Sequence, residues 1–267
     1  MGETAAHSLP AIAEFVAPAG WTRIDFISDL HLAVDMPRTF AAWAAWLRAT
    51  PADAVFILGD LFDAWVGDDA RHEGFEAECS AVLAGAARRL SLAFMVGNRD
   101  FLAGSAWADA CGLTLLADPT LLVAFGQRVL LTHGDALCLA DTEYQRFRAQ
   151  VRSPAWQAMV LALPLAERRR RAAQMRHASE QRHAMGGLAG DAADIDFAAA
   201  AAWMRHAGAP VLIHGHTHRP ASGAIGAGLM RHVLSDWDCD VPNPAASRAQ
   251  VLRLTRDGIE RLPALVV

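Results

Sequence analysis

Five stretches of this 267-residue chain end an apolar run in side chains that ligate cations. They are Asp29-Leu30-His31, Gly59-Asp60, Gly97-Asn98-Arg99-Asp100, His133-Gly134-Asp135 and His214-Gly215-His216-Thr217-His218. Taken singly, an Asp after a strand is a turn or N-cap residue, and a lone His is a hydrogen-bonded surface or core residue. Five in succession make those readings jointly untenable. Carboxylate, imidazole and amide oxygen without thiolate suit Mn²⁺, Fe or Zn²⁺ and disfavour Ca²⁺ or a structural zinc. Two such cations, about 3.5–4 Å apart, need a carboxylate between them, and water held there has its pKa lowered to roughly 7, ready to attack phosphorus. Asp60, on the central run, is the natural bridge.

Groups so distant in sequence meet only if strands carry them to one crevice, which in open α/β sheets lies at the carboxyl ends of the strands. The segments 23–28, 54–58, 92–96, 128–132 and 210–213 have the apolar character of covered strands. Phe40, Trp43 and Leu47 recur at helical spacing and predict a helix over 37–49, and a second is expected over 75–90. Shorter β-like pieces at 233–234, 251–254 and 259–262 follow. This order predicts an α/β layered sandwich in a single domain, 1–267, behind a weakly patterned leader, 1–20. Between Arg146 and Arg182 nine arginines face two acids, and Trp156, Met159, Val160 and Leu163 fall on one helical face. This region, 142–205, is expected to be a helical insertion lying as a lid over the site.

Composition narrows the classes. A hydrophobic share of 53% and a charged share of 20% belong to a folded globular chain. The net charge of -5 gives no sign of a generic nucleic-acid binder. All 24 basic residues are Arg, so any role for a fixed cation falls to Arg. Cys79, Cys111, Cys138 and Cys239 form no close pair, which argues against a disulfide framework and for a reducing compartment. No charge-free apolar run reaches the ~18 residues of a membrane span, and residues 1–20 lack the pattern of a signal peptide. The expected location is cytoplasmic.

The series Asp29-x-His31, Gly59-Asp60, Gly97-Asn98-x-Asp100, His133 and Gly215-His216-x-His218 resembles the calcineurin-like metallophosphoesterase superfamily. That resemblance implies a four-layer αββα sandwich and two metal ions. It implies Asp29, His31, Asp60 and His218 on one ion, and Asp60, Asn98, His133 and His216 on the other.

A narrower likeness covers 28–32, 59–69, 97–104, 133–138 and 215–220, together with Asp141, Tyr144-Gln145 and Phe147-Arg148. These stretches resemble the UDP-2,3-diacylglucosamine diphosphatases of lipid A synthesis, enzymes of Gram-negative-type bacteria. The resemblance implies Mn²⁺-dependent cleavage of a pyrophosphate, giving UMP and 2,3-diacylglucosamine 1-phosphate. It makes Asp60, Asn98 and Arg99 catalytic, and puts Asn98, Arg99, Asp141, Tyr144, Arg176, Ser179 and His216 on substrate, with Met175 beside them. After Ser179 the chain reads Glu180-Gln181-Arg182-His183 and departs from the family's Asn and Lys. Many superfamily members carry His at the position of Arg99. A guanidinium there can hold a phosphoryl oxygen bidentately, and with a pKa above 12 it is a poor acid, which fits a phosphate leaving group.

The implied partners are a lipid-linked UDP-sugar and the cytoplasmic face of the inner membrane, where the protein would be peripheral. No nucleic acid and no obligate protein partner is implied. Phe62, Trp65, Phe101, Leu102 and the Trp156 face are candidates to line an acyl slot, and Arg168 to Arg171 to meet anionic headgroups. Two other readings compete: a phosphoesterase for soluble nucleotides or phosphoproteins, and a non-catalytic scaffold on the same fold. A scaffold usually has damaged ligand positions, and here every position is filled.

Overall fold

The computed structural model describes residues 9–184 and 194–264, with the backbone alone over 177–184. Two six-stranded sheets form its centre. One runs β12 (Gly258–Pro263), β11 (Gln250–Thr255), β2 (Ile24–Ile27), β3 (Ala54–Leu58), β4 (Ser91–Met95), β5 (Leu113–Leu116). The other runs β1 (Ala13–Val16), β6 (Thr120–Ala124), β7 (Gln127–Thr132), β8 (Val211–His214), β10 (Leu229–Val233), β9 (Ala221–Gly226). β2, β3 and β4 are mutually parallel neighbours, as are β7 and β8. Their carboxyl ends therefore deliver three ligand loops from one sheet and two from the other.

Strand side chains alternate between two cores, as the period of two requires. In β3, Ala54, Phe56 and Leu58 face the space between the sheets, with Leu122, Val129 and Leu131 opposite. Val55 and Ile57 point the other way, onto Trp43, Leu47, Leu83 and Trp107. Those four belong to α1 (Pro37–Ala49), α2 (Gly74–Ala87) and α3 (Ser105–Cys111), which cover the first sheet. On the far side, α7 (Phe197–Ala207) lays Ala200 and Met204 against Leu130 and Leu212. The layers are α, β, β, α, as expected. All four cysteines are buried free thiols.

Two expected boundaries are revised. The leader contains β1, paired in parallel with β6. The insertion expected over 142–205 divides: α4 (Thr142–Val151), α5 (Pro154–Leu161) and α6 (Leu165–Ala184) stand beyond the sheets, whereas α7 is a layer of the sandwich. Asp141 caps α4 by accepting from the Tyr144 amide, and Ser153 caps α5, which has Pro154 in its first turn. Among the described residues no helix is long and apolar enough to cross a membrane.

Candidate metal centre

The ligand loops leave their strands through strained backbone. Among the described residues six that are not glycine have positive φ, and five of them are expected ligands: Asp29, His31, Asp60, His216 and His218. Non-glycine residues enter that region at an energetic cost that clusters at functional sites. Hydrogen bonds hold the bends. The amides of Leu30 and His31 both donate to the Asp60 carbonyl, and the Gly215 amide donates to the His133 carbonyl. Two glycines are sterically required. A Cβ on Gly97 would overlap the Asp60 carboxylate, and one on Gly215 would overlap Ser28 and Asp29.

All seven expected metal ligands converge. Asp29, His31 and His218 present ligand atoms within 4.8 Å of one another, as do Asp29, Asp60 and His133. Asp60 Oδ2 lies 3.9 Å from His31 Nε2 and 3.8 Å from His133 Nε2, nearly equidistant from the two imidazoles. Asn98 Oδ1 is 2.9 Å from His133 Nε2 and 2.8 Å from His216 Nδ1. Asp29 accepts the His216 amide on both oxygens and the Ser28 hydroxyl on one.

This arrangement suits cations. His133 Nδ1 stands 2.9 Å from the Leu58 carbonyl, which only a ring N–H satisfies. In the neutral ring Nε2 is then a lone pair, facing the acceptor oxygens of Asn98 and Asp60. A histidine ligand fixed through its other nitrogen is a common feature of metal sites. His31 and His218 likewise turn Nε2 to Nε2, 3.2 Å apart.

Without a cation, the shifts of these groups run in opposite directions. Burial would lower the His133 imidazole, but Asp60, Asp135 and Asp29 raise it to about 9. Burial pushes the Asp60 carboxyl up to about 7. Burial and the charge on His218 bring His31 down to about 3, and burial with His133 does the same to His216. Burial opposes ionisation of Asp29, yet the hydrogen bond and charge of His218 hold it below the usual carboxylate range.

The other expected residues divide. Asp100 is buried and accepts from the amides of Gly97 and Leu61, so it braces the two loops rather than ligating or pairing with Arg99. Arg99 lines a cavity of about 600 Å³ together with Asn98, Tyr144 and Arg176. Arg176 is ion-paired with Asp63 at 2.5 Å. The Asp141 carboxylate caps α4 and does not line that cavity. The Ser179 side chain lies outside the described residues.

Trp65, Phe101, Leu102, Trp156, Met159 and Val160 form the cavity's apolar wall. Phe62 is a correction: it is core, packed on Trp65 and Trp107. Leu163 follows the end of α5 and does not line the cavity. The first two arginines of the run are another correction. Arg168 is only 4% exposed, bound to Asp69 and the carbonyls of Val66 and Leu163. Arg169 pairs with Glu73 and Glu76, and Arg170 and Arg171 pair with Glu167. The run fastens α6 to the body of the protein through the first two of these contacts.

One member of the expected ligand clusters, Asp135, turns away from the metal ligands and into a group behind the site. Asp135 is fully buried and binds Tyr144 and Arg148, with Arg152 beside it. The signal was present, since Tyr144, Arg148 and Arg152 recur every four residues on one helical face.

The family model described as "Calcineurin-like phosphoesterase" matches residues 22–220. A relative from Chromobacterium violaceum, named UDP-2,3-diacylglucosamine hydrolase, is 44% identical over 247 residues, covering 90% of this chain and 98% of its own. One of the same name from Xanthomonas oryzae pv. oryzae is 43% identical over 244 residues, covering 88% and 96%. Among solved structures, Yfce, described as a phosphoesterase from E. coli, aligns over 91% of this chain and 93% of that one at 16% identity, with a TM-score of 0.43. The match over most of the chain, with every ligand position filled, decides the matter: the chain belongs to the calcineurin-like phosphoesterase family.

Proposed function

We propose that this metal-dependent hydrolase cleaves the pyrophosphate of UDP-2,3-diacylglucosamine, giving UMP and 2,3-diacylglucosamine 1-phosphate. The observation that carries this reading is the continuity of the 600 Å³ cavity, which begins at Asn98 and Arg99 and extends along Phe101, Leu102, Trp156 and Met159. A polar phosphate end joined to an apolar wall matches a lipid-linked diphosphate. The substrate named for the relatives has this composition.

Two ions, Mn²⁺ by resemblance, would polarise the phosphate oxygens and lower the pKa of bound water. Asp29, His31, Asp60 and His218 would hold one; Asp60, Asn98, His133 and His216 would hold the other. Asp60 would be shared by both, in keeping with its near-equal distances from His31 and His133. The Arg99 guanidinium makes no ion pair among the described residues, and is free to meet a phosphoryl oxygen as charge grows there. Tyr144 stacks toward His216, ring centroids 5.9 Å apart, and closes that side of the site. Helices α4 to α6 act as the lid. The exposed apolar side chains Phe147, Met159, Leu161 and Met175 lie on these helices, and they support a peripheral position at the cytoplasmic membrane surface, where the substrate resides.

The test compares turnover of UDP-2,3-diacylglucosamine with that of UDP-glucose, nucleoside polyphosphates and phosphopeptides, each with Mn²⁺. A preference for the diacylated substrate by orders of magnitude is expected. Efficient cleavage of the soluble compounds with none of the lipid would overturn the reading.

A further inference from the structure

Asn98 follows β4 in one sheet and His133 follows β7 in the other, yet their side chains meet at 2.9 Å. Among the described residues no backbone hydrogen bond joins the loop at 97–101 to the loop at 133–135. Helix α4 makes the connection instead. At one loop, Tyr144 Oη donates to Asp135 Oδ2 at 2.6 Å and Arg148 Nε donates to the same oxygen at 2.8 Å. Gln145 donates to the Asp135 main-chain carbonyl at 2.8 Å. At the other loop, Arg152 donates to the Gly97 carbonyl at 2.8 Å and lies 5.7 Å from the Phe101 ring centroid, while also standing 3.6 Å from Asp135 Oδ2.

We propose that Asp135 is a positioning residue: through α4 it fastens the His133 loop to the Asn98 loop, and so sets the half of the metal centre made by Asn98, His133 and His216. The inference rests on the dinuclear reading given above. Its logic is that charge-assisted hydrogen bonds are about twice as strong as neutral ones. An amide in place of the carboxylate weakens the bonds to Tyr144 and Arg148, and among the described residues leaves the two guanidiniums with Asp118 alone as an acidic neighbour, 3.9 Å from Arg148. The His31–His218 half has separate support, because the Leu30 and His31 amides are bound to the Asp60 carbonyl, away from α4.

The experiment titrates metal-free protein with Mn²⁺ and follows the free ion by electron paramagnetic resonance, for the unaltered chain, Asp135→Asn and Arg152→Ala. Arg152 is partly exposed, so its truncation spares the fold even if loss of the buried Asp135 charge does not. The expected result is one ion bound as before and the second weakened roughly 10- to 100-fold in both variants, as for other outer partners of ligands. Two ions bound with unaltered affinity, or both weakened equally, would overturn the assignment. An unaltered chain that binds fewer than two ions contradicts the dinuclear reading itself, and this assignment with it.

Discussion

The Nε2 atoms of His31 and His218 face each other at 3.2 Å, with the carboxylate of Asp29 3.5 Å from the latter. Two imidazoles can share one proton in that pose, or both can give their lone pairs to a cation. His133 and Asp60, both raised in the metal-free protein, carry protons that a cation would displace.

A pH dependence follows. His133 is raised from 6.5 to about 9, so in the metal-free protein its charge contributes stability below about pH 6.5 that is lost as pH rises through 9. Asp60 is raised from 3.8 to about 7, so it favours the metal-free fold in its neutral form and costs stability as pH rises through 7. A cation binds the deprotonated forms of both. The gain in melting temperature on adding Mn²⁺ is expected to increase between about pH 6 and about pH 9. A gain that is flat or falls over that window contradicts the ligand assignment.

Asp60→Ala removes the carboxylate that stands between the two halves. Turnover is expected to disappear, and Mn²⁺ bound at equilibrium to drop. Substantial residual activity with two bound ions would refute the bridge.

Arg99→Ala is expected to separate chemistry from metal binding. Loss of one preorganised donor to a transition-state oxygen lowers kcat roughly 10²- to 10³-fold. Two bound ions should remain, as counted by elemental analysis. Loss of an ion would make Arg99 a structural residue.

Gly97→Ala tests the close approach of the loops. The added methyl overlaps the Asp60 carboxylate, so metal affinity should fall and the melting temperature drop. Gly20→Ala, with nothing within 4 Å of its new Cβ, serves as the control and should change neither.

Met159→Asp places a charge on the cavity wall at a side chain that is 56% exposed, so the fold should survive. The expected effect is a KM for the diacylated substrate raised about tenfold or more, equivalent to about 1.4 kcal/mol. Cleavage of a chromogenic soluble phosphodiester should be unchanged. An equal loss on both substrates would show that Met159 does not discriminate acyl chains.

Much of the scaffold was legible because burial leaves a mark in the residue order. The continuous apolar run Ala54–Leu58 is β3, and the apolar stripe over Pro37–Ala49 is α1. β1 left no such mark, since three of its four residues are exposed. The apolar segment 113–124 conceals a switch: β5 and β6 belong to different sheets, with Asp118-Pro119 between them. For the site, residue types and spacing were sufficient to name the side chains that the structure brings together, but not the left-handed backbone that aims them. The pairing of Arg168 with Asp69, and of Arg169 with Glu73, spans nearly a hundred residues. Tertiary contacts of that kind turn Arg168 and Arg169, half of an apparent headgroup patch, into a fastening.

The most direct measurement supplies UDP-2,3-diacylglucosamine and Mn²⁺ in ¹⁸O-labelled water and weighs the products by mass spectrometry. UMP carrying the label, with unlabelled 2,3-diacylglucosamine 1-phosphate, is the predicted result. Release of UDP, or label in the lipid product, would contradict attack at the uridine-bearing phosphorus.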